Sequence, residues 1–365
     1  MHIQPRKHLH STRLTRLCFN AYASITRYYN VFRVYIEPLV QPFLPQWSAI
    51  KNRARVQKVN RLGQGFVQLQ IKTPRKWKGF RPGQFVQLGI FKQGAELRRI
   101  FSISSSPAQF LKSRTIELTI QVRKNGRVTP WIFDRFKVGG VVTLSRASGD
   151  FILDPTKPAL MIAGGYGLTP FLSFLGSSRD EPALLLHYSK NPSVFDGLFA
   201  PLNPADFRRM NTTQRGRFSK EDLQTLCPDY LTRDIYLCGP EAMIEDVSRL
   251  LLALGCKSER IHAERFSPPR SNAESDITLG GESASLHFEK SDRHIQASKR
   301  PILELAEEAG LRAQFGCRMG VCDQCKCKKK SGLVYNLRTQ RVSDSGPEEI
   351  KICVSVPINH VVLDL

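Results

Sequence analysis

Apolar and polar residues roughly alternate along RVQKVNRL (residues 55–62) and GFVQLQIK (residues 65–72). A period of two predicts half-buried strands. Strand-like stretches cover residues 53–72, 84–90, 97–104, 115–122 and 140–145. Turn signals at Arg81-Pro82-Gly83, Lys124-Asn125-Gly126 and Gly139-Gly140 separate them. Short strands at this spacing predict a small antiparallel barrel, with one helix over Pro130–Phe136.

The rhythm changes at about Pro158. ALMIAGG reads as a short buried strand entering a glycine turn. Thr169-Pro170 then supplies an N-cap and a first-turn proline for a helix through Leu175. ALLLHYS is the next strand, and DIYLCGP precedes a helix, EAMIEDVSRLLLALG, that stops at Gly255 as a C-cap would. Strand–helix alternation predicts a parallel sheet. Residues 267–275 are rich in Ser, Pro and Asn and read as a linker. Beyond them, SASLHFEK predicts a strand, PILELAEEAGL a helix from Pro301 to Gly310, and CVSVPINHVVLDL a final strand. The Lys328–Lys330 run reads as a solvated turn. The expected division is a basic extension over 1–50, a β-barrel over 51–155, an α/β domain over 156–266, the linker, and a C-terminal domain over 276–365.

The net charge is +22, and it is unevenly spread. Residues 275–365 hold 13 Lys/Arg against 12 Asp/Glu, which leaves +21 on the first 274 residues. Such a field favours acidic partners, anionic lipid or phosphate-bearing cofactors. The cations are dispersed rather than striped, and no nucleic-acid-binding motif accompanies them, so nucleic acid is not expected as a partner. No run of about 18 apolar residues predicts a transmembrane helix. Residues 1–36 carry six Lys/Arg and no acid, interleaved with Leu14, Leu17, Phe19, Tyr22 and Ile25. Three readings stay open for this extension: an amphipathic segment giving peripheral membrane contact through residues 1–45, an organellar transit peptide, and a plain solvated basic tail.

The nine cysteines bring in the chemistry. Cys317-x4-Cys322-x2-Cys325, with Cys353 after 27 further residues, is the plant-type spacing for a [2Fe–2S] cluster. The loop GCRMGVCDQC places Gly316 and Gly320 where the backbone must fold tightly and aim amides at sulfur. Pairwise C-x2-C zinc patterns do not match it. The other cysteines show no disulfide framework, and a thiolate-ligated cluster fits a reducing compartment, so a cytoplasmic location is expected, with peripheral attachment at the inner membrane face or organellar targeting as variants.

The barrel segment holds Arg99-Ile100-Phe101-Ser102. An Arg can neutralise a pyrophosphate, an aromatic ring can stack on another, and a hydroxyl can bond a ring nitrogen. Gly126, Val128 and Thr129 follow in a turn leading into the predicted helix, which suits a phosphate. Gly164, Gly165 and Gly167 after a strand let amides approach a pyrophosphate at a helix start. At the end of the next strand, Ser189 and Lys190 could hold a 2′-phosphate where an acidic residue would favour the bare ribose. Arg217 is a second candidate.

These motifs, in this order over residues 50–365, resemble a ferredoxin–NADP reductase-type flavoprotein with a fused plant-type ferredoxin domain. The family's flavin motif R-x-[YF]-[ST] is matched at Arg99, Phe101 and Ser102. Its phosphate turn is matched from Gly126 to Thr129. Its nucleotide signature G-G-x-G-[IL]-[TA]-P is matched at Gly164, Gly165, Gly167, Leu168, Thr169 and Pro170, and its C-G-P at Cys238, Gly239 and Pro240. Phe101 stands where Tyr is more usual, and Tyr166 where a small residue is usual. The resemblance implies an antiparallel flavin barrel, a parallel α/β nucleotide domain and a β-grasp ferredoxin domain. It also implies FAD rather than FMN and catalytic positions at Ser102 and Cys238, while the Ser189-Lys190 pair and Arg217 favour NADPH, with NADH as the alternative.

The expected activity is an NAD(P)H-dependent oxidoreductase passing electrons from NADPH through FAD and the cluster to an acceptor. The C-terminal domain resembles reductase partners of membrane-bound fatty-acyl desaturases and related di-iron enzymes. A ring-hydroxylating or other soluble oxygenase is the alternative acceptor. Basic residues near the cluster loop imply an acidic docking patch on the acceptor. A non-catalytic redox sensor and a basic binding module are the rival classes, and neither needs hydride input.

Overall fold

Six alternating stretches pair into one antiparallel sheet. They are β1 (Arg53–Leu62), β2 (Phe66–Lys72), β3 (Phe85–Lys92), β4 (Ala95–Ser102), β5 (Thr115–Gln121) and β6 (Val141–Leu144), in the order β4-β3-β6-β1-β2-β5. A bridge between Ile103 and Leu118 joins the two edges and closes the barrel. Val67, Leu69 and Ile71 of β2 and Val86, Leu88 and Ile90 of β3 point inward at alternate positions and fill it. This computed structural model describes residue 40 and residues 52–62, 65–92, 95–123, 126, 128–266 and 284–365. Apart from residue 40, the expected extension over 1–50 lies outside the described residues, as does the expected linker over 267–275. Among the described residues no helix is long and apolar enough to cross a membrane.

The expected helix near Pro130 runs from Thr129 to Arg135. A second helix, Pro107–Ser113, was not anticipated. Its signal is local: Ser106 accepts from the Gln109 N–H as N-cap, and Pro107 occupies the first turn.

The next sheet is parallel. It contains β7 (Ala159–Gly164), β8 (Ala183–Ser189), β9 (Phe207–Asn211), β10 (Asp234–Gly239) and β11 (Ile261–Arg265), ordered β11-β10-β7-β8-β9. The strand order reverses between β7 and β10, which is where a doubly wound sheet opens a crevice at its carboxyl ends. Both glycine-bearing signatures sit at that point.

The C-terminal domain is a mixed sheet of β12 (Ser285–Phe288), β13 (Arg293–Gln296), β14 (Lys326–Ser331), β17 (Glu348–Lys351) and β19 (Val361–Leu363), ordered β13-β12-β19-β14-β17. A small second sheet joins β15 (Val334–Asn336), β16 (Arg341–Val342) and β18 (Ser355–Pro357). Ile302, Leu303, Leu305 and Ala306 of the helix Ile302–Glu308 pack into the same core as Leu286, Phe288 and Val361. The expected single final strand is thus two, in different sheets.

The Lys328–Lys330 run is a strand, which corrects the solvated-turn reading. Lys329 is fully buried, and its Nζ donates to the carbonyls of Gly332 (2.9 Å), Asp344 (2.7 Å) and Gly346 (2.6 Å). It also lies 3.2 Å from Glu348 Oε1. Three consecutive lysines look solvated to a composition reading. Alternation along β14 turns the middle one inward, where carbonyls replace its water.

Candidate functional site

The barrel rim, the parallel sheet and the cysteine loop share one cavity of about 580 Å³, a size in the usual range for cofactor pockets. Arg99, Phe101 and Ser102 reach it from β4, and Gly126, Val128 and Thr129 from the following turn. Thr169 and Tyr166 enter from the glycine loop, and Cys317 and Arg318 from the cysteine loop. Ser102 is buried, and Arg99 Nη1 donates to the Arg98 carbonyl at 2.7 Å. Thr129 Oγ1 accepts from the Arg123 N–H at 3.0 Å, and the Gly126 N–H donates to the Arg123 carbonyl at 2.8 Å. A Cβ on Gly126 would meet that carbonyl at 3.0 Å and Thr129 Oγ1 at 3.1 Å. Glycine therefore keeps this turn tight at the cavity wall.

The two nucleotide signatures pack on each other. A Cβ on Gly167 would fall 1.9 Å from the Cys238 carbonyl oxygen, and one on Gly164 would fall 2.5 Å from Met243 Sδ. Only backbone fits between β7 and β10 there. Gly165 has φ +52, and His187 Nε2 is 2.9 Å from its carbonyl. His187 is fully buried against Phe195 and Phe199. Burial holds its pKa down to about 4, so the ring is neutral and Nε2–H is the donor. Tyr166 packs on Phe66 of the barrel and on Phe195, with ring centroids 5.1 and 5.6 Å away. The bulk that departs from the family pattern thus joins two domains at the cavity wall.

Cys238 is fully buried and does not line the cavity. Burial, with the Glu264 carboxylate second, pushes its thiol well above the ordinary range. Its register partner on β11 is Glu264, which does line the cavity. Desolvation raises the Glu264 carboxyl to about 7, against the opposing pull of Arg338.

Ser189, Lys190 and Arg217 lie outside the cavity. Gly164 pairs with Tyr188, so Ser189 and Lys190 follow one step beyond the glycine turn at the carboxyl edge of the sheet. The Thr213 hydroxyl donates to the Lys190 carbonyl at 3.4 Å, which ties the 211–217 segment to this corner. Lys190 and Arg217 are exposed. A larger cleft of about 1030 Å³, lined by residues such as Phe80, Pro158 and Asp234, contains none of the expected site residues.

The four cysteines converge. The Cys317 N–H donates to Cys322 Sγ and the Met319 N–H to Cys317 Sγ, each at 3.2 Å. Cys325 Sγ lies 3.1 Å from Cys353 Sγ. Hydrogen bonds from the Cys322 and Cys353 thiols, and from the Met319 and Val321 amides, draw the Cys317 thiol far below its ordinary range. Left-handed backbone at Arg318, Gly320 and Asp323 turns these amides inward. A Cβ on Gly320 would strike Val354 at 2.8 Å, and Lys351 Nζ clamps the Gly320 carbonyl at 2.8 Å. A tight loop of four convergent sulfurs with inward amides is the donor set a thiolate-held cluster requires. Arg98 of β4 donates to Gln324 Oε1 at 3.1 Å, tying this loop to the barrel.

Family comparison agrees with this geometry. Residues 53–152 match the oxidoreductase FAD-binding domain, and residues 286–357 match the 2Fe-2S iron-sulfur cluster binding domain. The chain thus combines an oxidoreductase FAD-binding domain with a C-terminal 2Fe-2S domain, as the ferredoxin–NADP reductase-type flavoproteins it resembles do. It is an NAD(P)H-dependent oxidoreductase whose cofactors are FAD and a [2Fe–2S] cluster. An NADPH oxidoreductase of Mycobacterium tuberculosis is 28% identical over 335 residues, covering 88% of this chain and 86% of that one. A glycine betaine monooxygenase reductase subunit of Chromohalobacter salexigens is 27% identical over 325 residues, covering 78% and 87%. The solved phthalate dioxygenase reductase shares the fold, with TM-score 0.59 and 22% identity over 87% of this chain and 98% of that one.

Three features of this reductase escaped sequence reasoning. Glu264 carried no motif, although its place on β11 beside the C-G-P strand could have been read from strand order. His187 was visible only as part of a strand, because its bond to Gly165 is a tertiary contact. The Arg98–Gln324 bond spans 226 residues and left no sequence signal.

Proposed function

We propose that this reductase feeds a terminal oxygenase, taking electrons from NADPH. The observation that carries the proposal is the single cavity shared by the barrel motif, the glycine loop and the cysteine loop. FAD, when bound, accepts two electrons as hydride and releases them one at a time. Arg99, Gly126, Val128 and Thr129 would hold the flavin's phosphates and ribityl chain, Phe101 would pack on its ring, and Ser102 would bond its reactive edge. The backbone at Gly164, Gly165, Gly167, Thr169 and Pro170, with Gly239 and Pro240, would seat the dinucleotide. Cys238, at the strand end, would sit beside the nicotinamide where hydride leaves for the flavin. Ser189, Lys190 and Arg217 would select the 2′-phosphate. Cys317, Cys322, Cys325 and Cys353 would hold the cluster.

Two acceptors are in contention. The C-terminal sequence favours a membrane-bound fatty-acyl desaturase or related di-iron enzyme. The names of the relatives, which include reductase subunits of glycine betaine monooxygenase and stachydrine N-demethylase, favour a soluble oxygenase. The test is a visible spectrum of the purified chain, followed by reconstitution with one candidate of each kind. Flavin and cluster bands bleached by NADPH, with turnover of one acceptor, are expected. Bands that NADPH leaves unchanged would reject the reading.

A further inference from the structure

Gln87 stands on β3 between Val86 and Leu88, both of which point into the barrel core. Alternation therefore turns Gln87 outward. Its main chain is secured on its own: its N–H donates to Ser145 Oγ at 2.8 Å, and its carbonyl accepts from the Ser145 N–H at 3.0 Å. Its side-chain Nε2 is buried and has no hydrogen-bond partner among the described residues. A buried amide donor without an acceptor costs about 1–3 kcal/mol, so an orphan of this kind calls for an acceptor that the described residues do not supply.

The surroundings of that donor identify the acceptor. A Cβ placed on Gly316 would lie 3.1 Å from Gln87 Nε2 and 2.8 Å from Cys322 Sγ. Gln87 Nε2, on the flavin barrel, and Cys322 Sγ, on the cluster loop, thus both crowd the position a side chain on residue 316 would take, which is why glycine stands there. Arg98, which pairs with Gly89 two residues along β3, holds the same loop through Gln324. Two barrel side chains, Arg98 and Gln87, reach the cysteine loop, and the second brings a buried, unused donor close to it.

We propose that Gln87 Nε2–H donates a hydrogen bond to the sulfur of Cys322 when the cluster is bound, and so sets the cluster's reduction potential from the flavin domain. An N–H donor stabilises the extra negative charge of the reduced cluster more than the oxidised one, and hydrogen bonds to sulfur are among the factors that fix these potentials. The donor belongs to a different domain from the ligands. Loss of domain contact would therefore make the cluster harder to reduce as well as further from its electron source. Gln87 is a positioning residue of the electron path. It is not placed against the flavin or the nucleotide.

The inference rests on Cys322 being a cluster ligand, and the experiment separates the two claims. Gln87→Met keeps nearly the same length and removes the donor. Cluster content, flavin content and both midpoint potentials are measured by redox titration of the full holoprotein, wild type against variant. With the cluster retained, the expected result is about a tenfold shift toward the oxidised cluster, which for one electron is 59 mV, with the flavin potential unchanged. An unchanged cluster potential overturns the proposal. If the Met variant loses its cluster, Gln87→Asn is titrated instead, together with wild-type protein exchanged into deuterated water. An exchangeable proton coupled to the reduced cluster in wild type and absent from Gln87→Asn supports the bond, and identical spectra overturn it. Cys322→Ser, measured in parallel, reports on the ligand assignment alone, because a cluster retained there would refute that assignment whatever the Gln87 variants do.

Discussion

Gly167 rests directly on the peptide of Cys238, so the family's two nucleotide signatures form one surface: a side chain on the first would overlap the carbonyl of the second at 1.9 Å. Gly165, two residues earlier, has the opposite problem. Its φ of +52 strains any L-residue, but a Cβ there would meet nothing within 4 Å. The two glycines therefore separate crowding from conformational strain.

Gly165→Ala should cost about 1–2 kcal/mol, the penalty for an L-residue in left-handed backbone. Gly167→Ala must instead drive β7 and β10 apart or collapse the loop. It should cost more, and it should abolish dinucleotide binding. Urea denaturation midpoints and nucleotide binding measured on both variants check this. Equal losses would show that the close approach to Cys238 has no special weight.

The pH response should follow Glu264. Its carboxyl is raised to about 7, chiefly by desolvation. The folded protein thus holds a proton that the unfolded chain has already released above its ordinary pKa of 4.5. Stability must then fall as pH rises through the window from 4.5 to about 7, because the native state binds more protons there. The loss should be on the order of 2 kcal/mol, less than full burial would give because the carboxyl keeps some solvent contact. Glu264→Gln should flatten this slope. A variant with the wild-type slope would assign it to another group.

The barrel, the parallel sheet and the cysteine spacing were legible because they are written in local pattern: period two, strand–helix alternation and fixed ligand intervals. Arg99, Phe101, Ser102, Gly126, Val128, Thr129 and Thr169 line one cavity, and their motifs were legible because each is a short local string. Long-range contacts were not legible. Nothing in KCKKKS distinguishes Lys329 from its neighbours until strand pairing with β17 decides which lysine faces Glu348. Gln87 likewise reads as an ordinary polar position on a strand, because its meaning depends on a loop more than 200 residues away.

Nucleotide choice is tested at the carboxyl edge of the parallel sheet. Ser189→Asp combined with Lys190→Ala should weaken NADPH binding far more than NADH binding, since the new carboxylate repels a 2′-phosphate and the lost ammonium no longer neutralises it. Titration of both nucleotides against the oxidised protein gives the ratio. Equal weakening would move the phosphate contact to Arg217.

The lysine run gives the last test. Lys330 pairs with Glu289 at the surface, and Lys326 lies 3.7 Å from Asp323 and 3.6 Å from Glu349. Exposed pairs of this kind contribute about 0–1 kcal/mol. Their acids also offset much of the positive field that an acidic acceptor would meet. Lys329 is different, because its ammonium is buried among three carbonyls and Glu348. Removing one partner of such a buried set costs about 3–5 kcal/mol, since the remaining groups lose their compensation. Lys329→Met should therefore destabilise the C-terminal domain and release the cluster while flavin stays bound, and Lys330→Met should do neither. Lys328→Glu, on the exposed side of the same strand, is the fit probe for acceptor docking. It should slow acceptor reduction at low salt and leave NADPH-to-flavin transfer unchanged, with the difference fading as salt screens charges over about 10 Å at 0.1 M. Cluster absorbance, flavin absorbance and acceptor reduction across a salt series read all three variants. A stable, cluster-replete Lys329→Met would refute the buried role, and a salt-independent Lys328→Glu would refute electrostatic docking at this face.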